Sequence, residues 1–167
     1  NKQVNLNFIC THNSRRSQFC QIWSSTASHY YNIPVNSYSG GTEINECNKL
    51  VINSITNNGF FVTSDGKSKN PKYSVSMGAN KPIKLFSKLF NKSIYHDGPF
   101  AAIMTCSDAD ENCPYIPGAE IRIPLKYDDP KVFDNTKLEL KKYEECSHKI
   151  ANEIFYAFSE IKKIKFH

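Results

Sequence analysis

Val4-Asn5-Leu6-Asn7-Phe8-Ile9-Cys10-Thr11-His12-Asn13-Ser14-Arg15-Arg16-Ser17 joins a short apolar-leaning run to the start of a helical pattern. The first six residues read as a strand, and Cys10 to Ser17 as the turn that carries the chain into a helix. A turn of that kind suits a tetrahedral oxyanion. Successive backbone N–H groups can curl around it, and the unpaired amides and positive dipole end of the helix add to the attraction. A cysteine placed there loses its proton easily: a free thiol near pKa 8.5 can fall to about 3.5–7.5 at a helix N-terminus beside cations, giving a thiolate nucleophile at neutral pH. Arg16 supplies a planar fork of donors that fits two oxygens of a phosphate-like group. Asn13 can take the left-handed backbone conformation that the curl requires.

The pattern is Cys-x5-Arg-Ser, a spacing that chance also produces, so its context carries the argument. In that context Cys10 to Ser17 resembles the phosphate loop of the low-molecular-weight protein tyrosine phosphatase superfamily, which includes the thioredoxin-coupled arsenate reductases. The competing reading is a buried strand-end cysteine followed by an ordinary basic turn.

The 167 residues suffice for one domain, 1–167, with a substantial core. The net charge of +5 suits an anionic substrate, but lysines spread over a solvated surface explain it equally well. No basic block with interleaved aromatics argues for a nucleic-acid partner. No run reaches the ~18 apolar residues that a membrane helix needs, and no signal-peptide pattern opens the sequence. The six cysteines, Cys10, Cys20, Cys47, Cys106, Cys113 and Cys146, are too sparse for a disulfide-stapled secreted scaffold, which favours a reducing cytoplasm.

Working outward from the loop, Phe19, Ile22, Trp23, Ala27, Tyr30 and Tyr31 recur at helical spacing and predict a helix over 17–31. Cys20, among them, reads as core. Residues 35–38 predict a second strand, running into Ser39-Gly40-Gly41, and 45–57 a helix with Cys47, Leu50, Val51 and Ile55 inward and Asn58-Gly59 as its stop. Residues 63–72 read as a polar loop. Residues 73–90 hold a possible inserted hairpin, with Tyr73, Val75 and Met77 alternating with serines, a turn at 78–81 and a return over 82–86.

The apolar run 100–105 predicts a strand buried on both faces, and 121–125 an edge strand, given Arg122 and Pro124. The chain closes with a helix over 136–163 whose buried stripe is Leu140, Tyr143, Ser147, Ile150, Ile154, Ala157, Phe158 and Ile161; His148 falls off it. The sum is a doubly wound α/β domain with about four parallel strands and helices on both faces. Ligand crevices in such sheets lie beyond the carboxyl ends of the strands. Cys10, Cys106 and Tyr127-Asp128-Asp129-Pro130 each leave a strand there, so three loops are expected to meet.

Asp129, held by Pro130, fits a general acid that protonates a leaving oxygen; the bland alternative is an Asp-Pro turn without chemistry. Asp129-Pro130 looks like the acid element of the superfamily. Cys106-Ser107-Asp108-Ala109-Asp110-Glu111-Asn112-Cys113-Pro114 resembles the redox segment of the arsenate reductases. The resemblance implies that Cys106 attacks the arsenylated Cys10 and that Cys113 resolves the bridge to a disulfide reduced by thioredoxin or another thiol reductant. Two incidental core cysteines are the alternative. A zinc pair is a poor rival, because the spacing is wide and no second pair accompanies it. No cofactor and no metal are expected.

Branch signals conflict. Lys131-Val132-Phe133 stands where the phosphatases usually carry ring-stacking tyrosines, a role open to Phe133 or Tyr127. Arg15 stands where the reductases usually have a further cysteine, His12 where glycine is usual, and Gln21 replaces an acidic residue linked to potassium in some of them. The resemblance implies catalysis by Cys10, Arg16 and Asp129, with Thr11, His12, Asn13, Ser14, Arg15, Arg16 and Ser17 around the oxyanion, whether arsenate, phosphate or phosphotyrosine. A phosphatase has no use for Cys106 and Cys113, so arsenate reduction is favoured. Phosphotyrosine hydrolysis is the alternative within the class, and a non-catalytic phosphate-binding module the alternative outside it.

Overall fold

Four parallel strands form the central sheet: β1 Val4–Cys10, β2 Val35–Gly41, β6 Phe100–Met104 and β7 Ala119–Pro124, in the order β2-β1-β6-β7. The computed structural model describes residues 4–66, 68–78, 81–92, 98–113 and 115–165. Four helices connect and cover the strands: α1 Arg16–Tyr31, α2 Lys49–Asn57, α3 Ser107–Asn112 and α4 Glu139–Lys165. The doubly wound α/β reading therefore holds, with β7 at the expected edge. The inserted hairpin is present as β4 Tyr73–Ser76 and β5 Ile83–Leu85, paired antiparallel; residues 79 and 80 of its expected turn lie outside the described residues.

A third strand, β3 Phe61–Ser64, pairs with β4 inside the segment expected to be partly a loop. β3 is largely exposed, so no inward alternation marked it, and its β-prone residues count only once β4 offers a partner. Residues 45–48, expected in a helix, form a loop instead. Asn48 caps α2, its side chain accepting from Leu50 N at 2.8 Å. The backbone before it is used otherwise: Glu43 N donates to Thr11 O at 2.8 Å and Asn48 N to Ser14 O at 3.0 Å.

One core joins α1, α2 and α4 to the sheet, built on Phe8, Phe19, Ile22, Val51, Ile55, Tyr143, Ile150 and Phe158. Cys20 and Cys47 are fully buried within it, as expected, and burial pushes the Cys47 thiol up to about 12. The stripes were over-extended. Tyr30 is 72% exposed on α1, and on α4 Leu140 (50%), Ala157 and Ile161 face outward, so the buried stripes are narrower than the spacing predicts. α4 begins at Glu139, after a single turn of tight helix at Pro130–Phe133.

Candidate active site

β1 ends at Cys10 beside the ends of β2 and β6, and the chain then turns sharply into α1. The turn is held from outside. Carbonyls of Thr11, His12, Asn13 and Ser14 accept, respectively, from Glu43 N, Ser87 Oγ (2.7 Å), Gln18 Nε2 (2.7 Å) and Asn48 N. With the carbonyls turned outward, the N–H groups of Ser14, Arg15, Arg16 and Ser17 have no acceptor among the described residues. Asn13 adopts φ 47°, the left-handed geometry expected of it, and its N–H lies 3.1 Å from Cys10 Sγ. Gly41, at the end of β2, is a required glycine: an added Cβ would stand 2.6 Å from Thr11 O and 2.8 Å from Asn13 N.

Cys10 is buried, with Ser17 Oγ 3.0 Å from its sulfur. Asn13 Nδ2 donates to Ser17 Oγ at 2.9 Å, leaving the hydroxyl proton free to point at Cys10. Arg16 donates from Nη1 to Tyr127 O at 2.9 Å and from Nη2 to Asp129 Oδ2 at 2.6 Å, while its Nε is buried without an acceptor among the described residues. Asp129 Oδ1 accepts from Lys131 N at 3.0 Å, so Pro130 and the turn after it fix the carboxylate. Cys10, His12, Ser14, Arg15, Arg16 and Asp129 together line a small cup.

Arg15 belongs to the wall of the cup. Its Nε donates to Tyr143 OH at 2.8 Å, Tyr143 OH donates to Asp134 Oδ1 at 2.8 Å, and Arg15 Nη1 stands 3.9 Å from Asp129. His12 sits at the rim, 3.2 Å from Glu43. Thr11 faces the other lip, where its hydroxyl donates to Asp108 Oδ2 at 2.7 Å and lies 3.6 Å from Cys106 Sγ.

Cys106 and Cys113 bracket α3, a short helix in place of the loop expected after the strand. Cys106 is its N-cap, accepting from Ala109 N at 3.4 Å, and Cys113 its C-cap; Pro114 lies outside the described residues. The helix is tied down: Lys126 and Arg122 pair with Asp110 at 2.8 and 2.5 Å, and Arg122 also donates to the carbonyls of Asp110 and Cys113. The hydrogen bond from Lys126, chiefly, holds the Asp110 carboxyl below its usual range. Cys106 is buried and Cys113 half-buried.

Tyr127 and Phe133, the expected ring-stacking substitutes, do not present themselves equally. Tyr127 is buried in the core, its backbone rather than its ring reaching Arg16, and cannot stack on a bound ring. Phe133 is half-buried and lines a cavity together with Asp129, with Lys142 Nζ 5.2 Å above its ring.

Sequence comparison finds an arsenate reductase and an arsenate reductase 2, both from Staphylococcus epidermidis, 28% identical over 124 residues that cover 74% of this chain and 76% of each relative. The chain is thus similar in sequence to arsenate reductases over about three quarters of its length. No family model matches the sequence. Among solved structures, an arsenate reductase in its phosphate-binding state superposes with a TM-score of 0.61 at 15% identity, covering 95% of this chain and 99% of that one. A low-molecular-weight phosphotyrosine phosphatase from Vibrio cholerae gives 0.61 at 11% identity, with 98% and 99% covered. At those identities the likeness is one of fold, and both branches share it.

Within this fold, two groups at the site had no sequence signal. Lys88 is only 6% exposed and lies beneath the loop, and Gln18 braces it from α1. Lysine is ordinarily a surface residue, and the contact between Lys88 and Asn13 spans 75 positions; Gln18, five residues from Asn13, is one polar residue among several on α1. Among the described residues no cluster of acidic, histidine and cysteine side chains could hold a metal, and no helix is long and apolar enough to cross a membrane.

Proposed function

We propose that this chain is an arsenate reductase in which Cys10 is the nucleophile and Cys106 and Cys113 carry the electrons away. The observation that carries this reading is the second thiol at the lip of the cup: Cys106 Sγ stands 3.6 Å from Thr11 Oγ1, in the loop that begins at Cys10. Phosphoester hydrolysis needs nothing there.

Arsenate enters the cup against the unpaired amides of residues 14–17, and Arg16 turns from Asp129 to the oxyanion, which also satisfies its orphaned Nε. Asp129, parted from Arg16, is the carboxyl placed to pass a proton to the leaving oxygen. The Cys10 thiolate attacks arsenic, and an arsenate hydroxyl takes that proton and leaves as water. The Cys106 thiolate then attacks Cys10 Sγ. The sulfur–arsenic pair stays on arsenic, As(V) becomes As(III), and arsenite departs. Cys113 attacks Cys106 Sγ, freeing the Cys10 thiolate and leaving a Cys106–Cys113 disulfide for an external dithiol of the thioredoxin class to reduce.

The last exchange demands movement. Two caps of one helix, seven positions apart, stand about 10 Å apart along the axis at about 1.5 Å per residue. Disulfides need Cα atoms within about 7 Å. α3 must therefore unwind.

Hydrolysis of p-nitrophenyl phosphate and thioredoxin-dependent arsenate reduction, measured side by side on wild type, Cys106→Ser and Cys113→Ser, test the proposal. Arsenate reduction is expected in wild type and lost in both variants. Normal reduction by both variants removes the relay, and hydrolysis alone assigns the chain to phosphotyrosine chemistry. Phosphate binding without either reaction leaves a recognition module.

A further inference from the structure

Lys88 follows the inserted sheet and returns the chain beneath the phosphate loop, nine-tenths buried. Its Nζ donates to Ser39 Oγ at 3.3 Å, to Phe86 O at 3.3 Å and to Asn13 Oδ1 at 3.5 Å, and lies 4.7 Å above the Phe86 ring. Its backbone N–H donates to the same Asn13 oxygen at 3.1 Å. Those two donors fix the Asn13 amide, so that Nδ2 must face Ser17, and Ser17 must direct its proton at Cys10. The result is a line of hydrogen bonds, each donating toward the sulfur: Lys88 to Asn13, Asn13 to Ser17, Ser17 to Cys10.

A buried ammonium ordinarily sits against a carboxylate, because an uncompensated charge in a poorly polarisable interior is costly. Lys88 has none among the described residues. The side chains packed around it from α1 and β2 are neutral, Gln18, Gln21 and Ser39, with Ser39 passing its own proton to Gln21 at 2.6 Å. The ionisable groups that act on it are the thiols of Cys47, ahead of α2, and Cys10, at the end of β1. Cys47 is sealed in the core with its proton retained.

We propose that Lys88 is a positioning residue whose tethered ammonium has the Cys10 thiolate, and then the bound oxyanion, as its counter-charge, acting through Asn13 and Ser17. The donor chain polarises toward the sulfur, each bond strengthening the next. The same ammonium occupies a hole floored by three oxygens, which in its absence suits a small monovalent cation. This rests on Cys10 being the nucleophile.

The test is iodoacetamide trapping of Cys10 at pH 6.5, followed by peptide mass spectrometry, with inorganic phosphate as protectant. In wild type, rapid trapping and protection by phosphate are expected. Lys88→Met is expected to slow trapping about tenfold and to raise the half-protecting phosphate concentration about tenfold, with circular dichroism unchanged. In Lys88→Ala, ammonium chloride restores both, and tetramethylammonium, too large for the hole, does not. If Lys88→Met traps and protects like wild type, Lys88 is only a packed side chain. If wild type itself traps slowly and phosphate gives no shelter, the Cys10 reading fails first and this one with it. Should Lys88→Met not fold, wild type alone decides. Saturating phosphate is expected to raise the pH at which the Lys88 Cε resonance titrates, and an unmoved titration overturns the coupling.

Discussion

Asn13 does three things at once: it accepts a positive φ, presents its N–H to Cys10, and joins Lys88 to Ser17 through its side chain. Asn13→Ala loses the side-chain bonds and strains the turn, so phosphate protection of Cys10 is expected to vanish, with stability reduced by about 1–3 kcal/mol in urea melts. Asp129 is tested by substitution to Asn, which keeps its shape. Turnover is expected to fall by about 10²–10⁴, the usual worth of a positioned acid, while phosphate affinity holds because Arg16 is released from its ion pair. A fall in phosphate affinity matching the fall in turnover would instead make Asp129 part of the binding wall. The gathering of Cys10, Asn13 and Ser17 was legible because all three belong to one strand-to-helix turn. Lys88 was not, since Asn13 in the turn after β1 and Ser39 in β2 meet it only through the tertiary fold.

α3 stores the difference between the oxidised and reduced ends of the proposed cycle. Its acidic first turn suits the helix dipole, and Arg122 and Lys126 from β7 and the strand's exit pin Asp110 in place. Arg122→Ala frees the Cys113 carbonyl and removes one of the two cationic partners of Asp110, leaving Lys126. Formation of the Cys106–Cys113 disulfide in single turnovers, followed by thiol counting, is expected to quicken about tenfold; a slower reaction would mean that Arg122 guides the thiols together rather than holding them apart. The two cysteines were readable from sequence, but not the helix between them, for five polar residues and a single alanine give no apolar period to detect. β3 was missed for the corresponding reason in a strand: Phe61 and Thr63 are both exposed, so nothing alternates. The long α4 was found readily, yet its buried stripe is narrower than the spacing predicts, with Leu140 and Ile161 outward.

Across the whole molecule, the strand order alone gathers the carboxyl ends of β1, β6 and β7, and everything chemical follows from that edge. The same molecule carries a cost for Lys88. Burial lowers its pKa from 10.5 to about 8, so the unfolded chain holds this proton more tightly than the native one. The penalty is full below about pH 8, shrinks as pH climbs, and is gone above 10.5. Wild type is thus expected to gain, relative to Lys88→Met, on the order of 3 kcal/mol between pH 8 and 10.5. Subtracting the two urea profiles removes the opposing loss from Cys47, whose raised pKa stabilises the fold below 9 and ceases to between 9 and about 12. Equal slopes for the two proteins would show that the ammonium is well solvated. At pH 7 Lys88→Met is accordingly expected to be the sturdier protein and the poorer catalyst.

The added sheet ends in Ser87 and Lys88, and those two side chains reach His12 and Asn13, while the Lys88 carbonyl accepts from Gly41 at 2.8 Å. What looks like an ornament hung on an older scaffold is therefore a rib of the vessel itself. Excising residues 61–92 would not yield a leaner protein but a bowl without a base.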